Sequence, residues 1–280
     1  VSANIHEKLS WALDSLKASI TPEIPKLPPV LKVYSDLALV LTDLHIPMHS
    51  HTWTKLALRR AAYLKRKFPE LKLSLLIGGD LLNLTMFGRH GHTERDVNFR
   101  HTLQVGAKVL DAFAHVVDEI VICPGNHDAR LVHKMRAMTG GFGFHEIMSM
   151  IIHEMTPGII AQENLIYTER NFFIYNDQWA IVHPKNYSKI PGKVPRDLAQ
   201  IHQLCVVSGH THHAPCAVAT HDGRFMGLEN GCMLDISNEE YLQDMDSYPH
   251  HKRGFTELIK APDGVTRYRQ HSEMKLNLDP

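Results

Sequence analysis

Nowhere does this chain approach the ~20 consecutive apolar residues of a membrane-spanning helix. Its first residues, Val-Ser-Ala-Asn-Ile-His-Glu-Lys, carry no apolar core of the signal-peptide kind. Cysteine is scarce: Cys123, Cys205, Cys216 and Cys232 are too far apart for a Cys-x-x-Cys pair and read as reduced thiols. Neither sign of charge is in excess. Thirty basic residues balance thirty acidic ones, which excludes a global field for nucleic acid or anionic membrane and leaves only local patches. Repeats and low-complexity segments are absent as well. These absences predict a cytoplasmic protein without a membrane anchor. The chain begins at Val1 rather than methionine, which leaves room for an upstream domain. Nothing in it fixes an oligomeric state.

What the chain does have is ordinary globular composition, with 44% hydrophobic and 21% charged residues. Its 280 residues are enough for one core that buries roughly three quarters of the unfolded surface. Histidine is the exception, at 21 residues. Neutral imidazole is the commonest metal ligand and the acid or base best matched to neutral pH.

Ile5, Leu9, Leu13, Leu16 and Ile20 have near-helical spacing, and four prolines follow between 21 and 29. Residues 1–30 are therefore expected to form a helix and a Pro-rich linker, and 31–280 a single domain. From 37 onward, short apolar runs ending in polar clusters alternate with longer periodic stretches: 37–42, then 53–67, 73–77, 94–117 and 120–123. Strand, helix, strand, helix, strand implies a parallel sheet. A helical stretch near 129–155 precedes shorter apolar runs at 172–175, 179–182, 205–208, 217–220 and 225–228, which predict a second sheet. A hairpin at 255–259 and 265–268, turning at Ala261-Pro262-Asp263-Gly264, closes the chain. The fold expected is α/β, a two-sheet sandwich flanked by helices.

Polar clusters end five of these strands. Asp43-Leu44-His45 follows the first; residues two apart on extended backbone point the same way, so carboxylate and imidazole can converge on one ion. Alone, such a triplet is more often a turn Asp beside a surface His. Gly78-Gly79-Asp80 ends the second strand, where glycine permits a sharp turn, although an Asp there commonly just caps a helix. Gly125-Asn126-His127-Asp128 ends the third with more polar function than a turn needs. His183 ends a later strand, and Gly209-His210-Thr211-His212 repeats the alternating arrangement. The order is informative, since ligands on open α/β sheets collect at the carboxyl edge.

This series resembles that of the calcineurin-like metallophosphoesterases, whose motifs run Asp-x-His, Gly-Asp, Gly-Asn-His-Asp/Glu, a lone His and Gly-His-x-His, here over about 37–230. The turn Asn230-Gly231-Cys232 is similar to the Asn-containing turn that often follows the last motif. The resemblance implies a four-layer αββα fold and two divalent transition-metal ions, manganese first, with iron, zinc or nickel as alternatives. One ion would be held by Asp43, His45, Asp80 and His212, the other by Asn126, His183, His210 and the same Asp80. Mixed oxygen and imidazole donors suit those metals and not calcium. His127, protonated, would face the phosphate and could protonate the leaving oxygen, with Asp128 orienting its ring.

The expected activity is hydrolysis of a phosphoester, with a nucleotide or nucleic-acid phosphodiester ahead of a monoester. A non-catalytic binding module on the same fold is the alternative from another class. Gly-Asp-Leu-Leu-Asn stands where the serine/threonine phosphatases of the family have an Asp-Arg pair, which argues against a protein phosphatase. Asn83 and Arg130 are candidate phosphate contacts. The polar segment 85–101 is a candidate substrate loop. Lys185, Asn186, Tyr187, Lys189, Lys193 and Arg196 form a cationic loop with an aromatic, suited to a nucleic-acid strand. His49, His51, His90, His92, His250 and His251 read as surface histidines, of which His90 and His92 could line the pocket.

Overall fold

The computed structural model describes residues 29–87, 98–139, 164–236 and 251–273. The expected N-terminal helix and most of its linker lie outside the described residues, as do His90, His92, His250, most of the 85–101 segment and the helical stretch beyond 139.

Strands β2 (Leu37–Leu41), β3 (Leu73–Gly78) and β4 (Glu119–Cys123) are buried at every position. Apolar side chains on both faces are what a parallel strand needs when both faces are covered. Parity divides them. Leu37, Leu39, Leu41, Leu73, Leu75, Ile77, Ile120 and Ile122 join the layer beneath the helices, while Ala38, Val40, Leu76, Val121 and Cys123 face the second sheet. Helix α1 (His51–Lys67) lies on the helix side, its stripe of Trp53, Ala57, Ala61 and Leu64 falling at helical spacing. Ser50 caps it, accepting from the Trp53 N–H at 3.5 Å, and Lys65, Arg66 and Lys67 complement the dipole in its last turn. Helix α2 (Phe99–Ala114) completes that layer with Ala107, Leu110 and Phe113.

The first sheet has the order β12-β11-β2-β3-β4-β5, where β5 is Leu165–Tyr167, β11 Gly254–Lys260 and β12 Thr266–Ser272. It is parallel from β2 to β5, and the predicted hairpin adds β11 antiparallel to β2. The second sheet has the order β1-β6-β7-β8-β10-β9, comprising Lys32–Val33, Phe172–Tyr175, Trp179–Val182, Cys205–Ser208, Met226–Glu229 and Cys216–Ala219 respectively. Helix α3 (Asp128–Thr139) follows β4. Helix α4 (Lys193–His202) covers the outer face of the second sheet, where Ala199 meets Ala180, Val182 and Val206. The layers run helix, sheet, sheet, helix: a two-sheet α/β sandwich, as expected. No helix among the described residues is long and apolar enough to cross a membrane.

One buried ion pair fastens α1 to the hairpin. Arg60 grips the Glu257 carboxylate with both Nε and Nη2, the latter at 3.0 Å, and His271 reaches the same group from β12. Burial would push that carboxyl up, but the hydrogen bonds and charges of His271 and Arg60 outweigh it and hold it at about 2. A folded-state value below the ordinary 4.5 means that the contribution is complete above about 4.5 and lost as pH falls towards 2. Glu257→Gln is therefore expected to cost on the order of 3 kcal/mol near neutrality. Urea unfolding at stepped pH should then show a flatter acid limb between those values. An unaltered limb would remove Glu257 as its source.

Candidate metal centre

The carboxyl edges of β2, β3, β4, β7 and β8 converge on one cluster. Chain direction accounts for the convergence, because these strands run the same way within each sheet and their terminal turns meet where the sheets abut. Five of the eight non-glycine residues with positive φ among the described residues belong to it: Asp43, His45, Asp80, His210 and His212, at 53°, 49°, 50°, 78° and 55°. Such conformations are costly for residues with a Cβ and gather at functional sites.

Two adjoining groups result, with a third set, His45, Asp80 and His127, overlapping them. In the first, Asp43 Oδ1 lies 3.2 Å from His212 Nε2 and 3.9 Å from His45 Nε2, while the two Nε2 atoms face each other at 3.1 Å. In the second, Asp80 Oδ2 lies 3.3 Å from His183 Nε2, and Asn126 Oδ1 is 2.9 Å from His183 Nε2 and 2.8 Å from His210 Nδ1. Asp80 also reaches His45 at 3.7 Å, so its carboxylate lies between the two. Asp43, His45 and His212 present ligand atoms within 4.8 Å of one another, as do Asp80, His183 and His210. The seven residues expected as ligands are thus in one place.

The donor set fits metal ions. It is all oxygen and imidazole nitrogen, mostly buried, with His45 and His212 Nε2 converging on each other and His183 Nε2 and His210 Nδ1 on one amide oxygen, while His183 Nδ1 is turned to the Gly78 carbonyl at 3.2 Å. Its electrostatics agree. Burial would raise the Asp43 carboxyl, yet His212 and His183 hold it at about 2. Asp80 is likewise held well below its usual range against its own burial, by His183, His127 and His45. Burial alone would lower His183, but Asp80 and Asp43 raise it to about 9. A protonated imidazole thus offsets carboxylate charge that bound cations would otherwise balance.

Close approach of backbone makes the cluster compact. A Cβ on Gly79, at φ +87°, would fall 2.4 Å from His183 Nδ1, so this turn admits only glycine beside that ring.

His127 differs from expectation in its partners. Its Nε2 is 2.9 Å from Arg130 Nη2, and its Nδ1 is 3.0 Å from Asn83 Oδ1. A guanidinium can only donate, so Nε2 accepts and the ring proton sits on Nδ1, given to Asn83. Burial takes this imidazole down to about 4 and the Arg130 charge adds to that, against the opposing pull of Asp80. Asp128 does not orient the ring. Its carboxylate accepts from the backbone N–H groups of Leu82 at 2.9 Å, Gly125 at 2.9 Å and Leu81 at 3.2 Å, which ties the Asp80 turn to the Asn126 turn. Burial and the Asp80 charge raise this carboxyl to about 6.

Lys185 and Tyr187 sit beyond His183 on an exposed segment, and the Tyr187 ring is 6.1 Å from that of His213. The cationic stretch is smaller than its composition suggests. Lys193 and Arg196 belong to α4 and both pair with Asp197, at 2.7 Å and 2.9 Å. Pro195 makes that segment read as a loop, yet it lies in the first helical turn, where proline is tolerated. His49 is buried and so is not a surface histidine, while His251 is half-buried with its ring 4.7 Å from that of His212. Glu229 carries no motif. Buried at the end of β10, it accepts from the Thr211 hydroxyl at 2.6 Å and steadies the turn between His210 and His212. Asn230 is a tie between the sheets, its amide reaching the Val40 carbonyl at 3.1 Å and the Thr256 hydroxyl at 2.7 Å.

Sheets, helices and cluster together define a four-layer α/β sandwich with a His/Asp/Asn site able to hold metal ions. No protein-family model matches the chain, and no curated protein does. Among solved structures, the crystal structure of Chaetomium thermophilum Vps29 is similar at 11% identity and a TM-score of 0.39, over 84% of this chain and 94% of that one.

Proposed function

We propose that this protein is a two-metal hydrolase of phosphoesters and that residues 31–280 form its catalytic domain. The observation that carries the reading is the pair of adjoining ligand groups with Asp80 between them. Asp43, His45 and His212 would hold one ion, Asn126, His183 and His210 the other, and Asp80 both. When bound, divalent ions of the manganese, iron, zinc or nickel type supply a water nucleophile at neutral pH and a Lewis acid for the phosphoryl oxygens.

The chain's own residues do the rest. Asn83 fixes the His127 ring, and the ring in turn holds the Arg130 guanidinium beside the cluster. Arg130 is the fixed cation for a phosphoryl oxygen, a donor already oriented before substrate arrives. Asp128 keeps the two ligand-bearing turns in register through backbone N–H groups. A phosphodiester of a nucleotide or nucleic acid is the substrate class we favour. The exposed Lys185 and Tyr187 beyond His183 support it, offering a backbone phosphate one charge and a base one ring.

The test is turnover by the manganese-loaded protein on a monoester, a diester, single- and double-stranded DNA, and RNA, with His127→Ala beside the wild type. Diester cleavage is expected to be fastest, and His127→Ala to keep both metals while losing on the order of 10² in turnover. Faster monoester turnover would overturn the diester reading. Inactivity on every substrate with both metals bound would favour a binding module. Elemental analysis showing metal loss in His127→Ala would make it a ligand, an alternative that its grouping with His45 and Asp80 within 4.8 Å leaves open to test.

A further inference from the structure

The other end of the first sheet carries a second feature. Leu37 begins β2 six residues before Asp43, so at ~3.3 Å per residue the two ends lie about 20 Å apart. There, between the end of α1 and the β11–β12 turn, a groove of about 670 Å³ opens. Its floor is aliphatic, with Leu64 and Leu71 on one side and Ile259 on the other.

Charge frames that floor unevenly. Arg60, Lys67, Lys260 and Arg269 line the groove against a single acid, Asp36, which already accepts the Lys72 N–H at 3.0 Å. Arg60 is committed to Glu257. Lys67, Lys260 and Arg269 are exposed and belong to no ion pair among the described residues. Three uncompensated cations around an apolar trough are unusual on a chain whose charges balance overall.

The same geometry argues against a nucleic-acid strand. Tyr63 is the exposed aromatic of the groove, and the Arg60 guanidinium lies over its ring, 4.9 Å from the centroid, with the Lys67 ammonium 5.6 Å away. Phe68, the other aromatic of the groove, is half-buried with the same Lys67 ammonium 5.3 Å from its centroid, so a base meets rings already engaged by cations, whereas aliphatic side chains find a floor.

We propose that this groove docks an acidic peptide segment of a partner protein, its apolar side chains on Leu64, Leu71 and Ile259 and its carboxylates against Lys67, Lys260 and Arg269. Complementary charge would steer the encounter and the apolar contacts would hold it. The site is independent of the metal centre.

Panning a random peptide library on the intact chain, with K67E/R269E as counter-target, tests this. Both positions are exposed, so the variant should stay folded, with only a small loss of melting temperature from reversing the Lys67 charge at the end of α1. Enriched peptides are expected to alternate Asp or Glu with Leu, Ile or Phe, and the best of them to bind K67E/R269E at least about tenfold more weakly by fluorescence anisotropy, with D80N unchanged. Basic or neutral winners, no enrichment, or equal binding to K67E/R269E would overturn the proposal. So would a single-stranded DNA of matched charge that competes the peptide off at equal affinity, or self-association that K67E/R269E abolishes.

Discussion

Asp80→Asn is expected to lose both metal ions and to lower phosphoester turnover by more than about 10³-fold, beyond the 10²–10³ typical of removing one preorganised electrostatic donor. The carboxylate sits between the two ligand groups, 3.7 Å from His45 and 3.3 Å from His183, and its Oδ1 accepts the His127 N–H at 2.7 Å. The amide keeps the shape and removes the charge. Neighbouring ligands then face each other without the anion that makes two cations tolerable in one pocket. Heat separates this from a mere catalytic defect. A ligand at ~100 times its dissociation constant stabilises the folded state by about 2.7 kcal/mol. For a chain of this size that raises the wild-type melting temperature by roughly 5–10 °C. The variant should show no such rise, and a manganese-induced shift in Asp80→Asn as large as that of the wild type would sink the bridging role.

Gly125→Ala should be nearly as damaging, although it removes no ligand. A Cβ there would lie 2.0 Å from Asp80 Oδ1 and 2.3 Å from the Asp80 backbone nitrogen, and the second of these atoms cannot swing away. Either the Asn126 turn or the Asp80 turn must move by more than an ångström. Movement strains the link in which Asp128 receives the Gly125 N–H at 2.9 Å and the Leu82 N–H at 2.9 Å. Overpacking of this kind costs about 1–3 kcal/mol. Misplacing one ligand turn against the other removes the shared geometry that two ions need. Calorimetry and elemental analysis on the same sample check both effects. Wild-type metal content with wild-type stability would show that the turns are not in mutual contact in solution.

Much of the fold is legible in the order of residues alone. The apolar runs ending near 41, 77 and 123 reveal their strands because both faces are buried, and the one polar residue inside a run, Ser74, is paired with Glu119 on the neighbouring strand. Short elements leave no such mark: β1 has two residues and β5 three, too few for a period. Helix α4 is hidden by Pro195, whose place in the first turn makes it harmless. The expected pairing of Asp128 with His127 fails for a related reason. Adjacent residues on a turn point apart, and the partner of each is set by what the turn packs against, here the Leu81–Leu82 backbone for Asp128 and Asn83 for His127.

By itself the sequence determined which residues end each strand, because polar clusters after apolar runs are a local property of the chain. Taken with the resemblance of the motif series, that was enough to bring Asp43, His45, Asp80, Asn126, His183, His210 and His212 forward as one ligand set. Only the tertiary structure decided that the hairpin of β11 and β12 extends the first sheet and that a buried Glu229 steadies the His210–His212 turn. It also decided that Arg130 faces the cluster from the His127 ring. Those contacts join residues distant in the chain through side-chain direction and close packing, which spacing along a sequence does not encode.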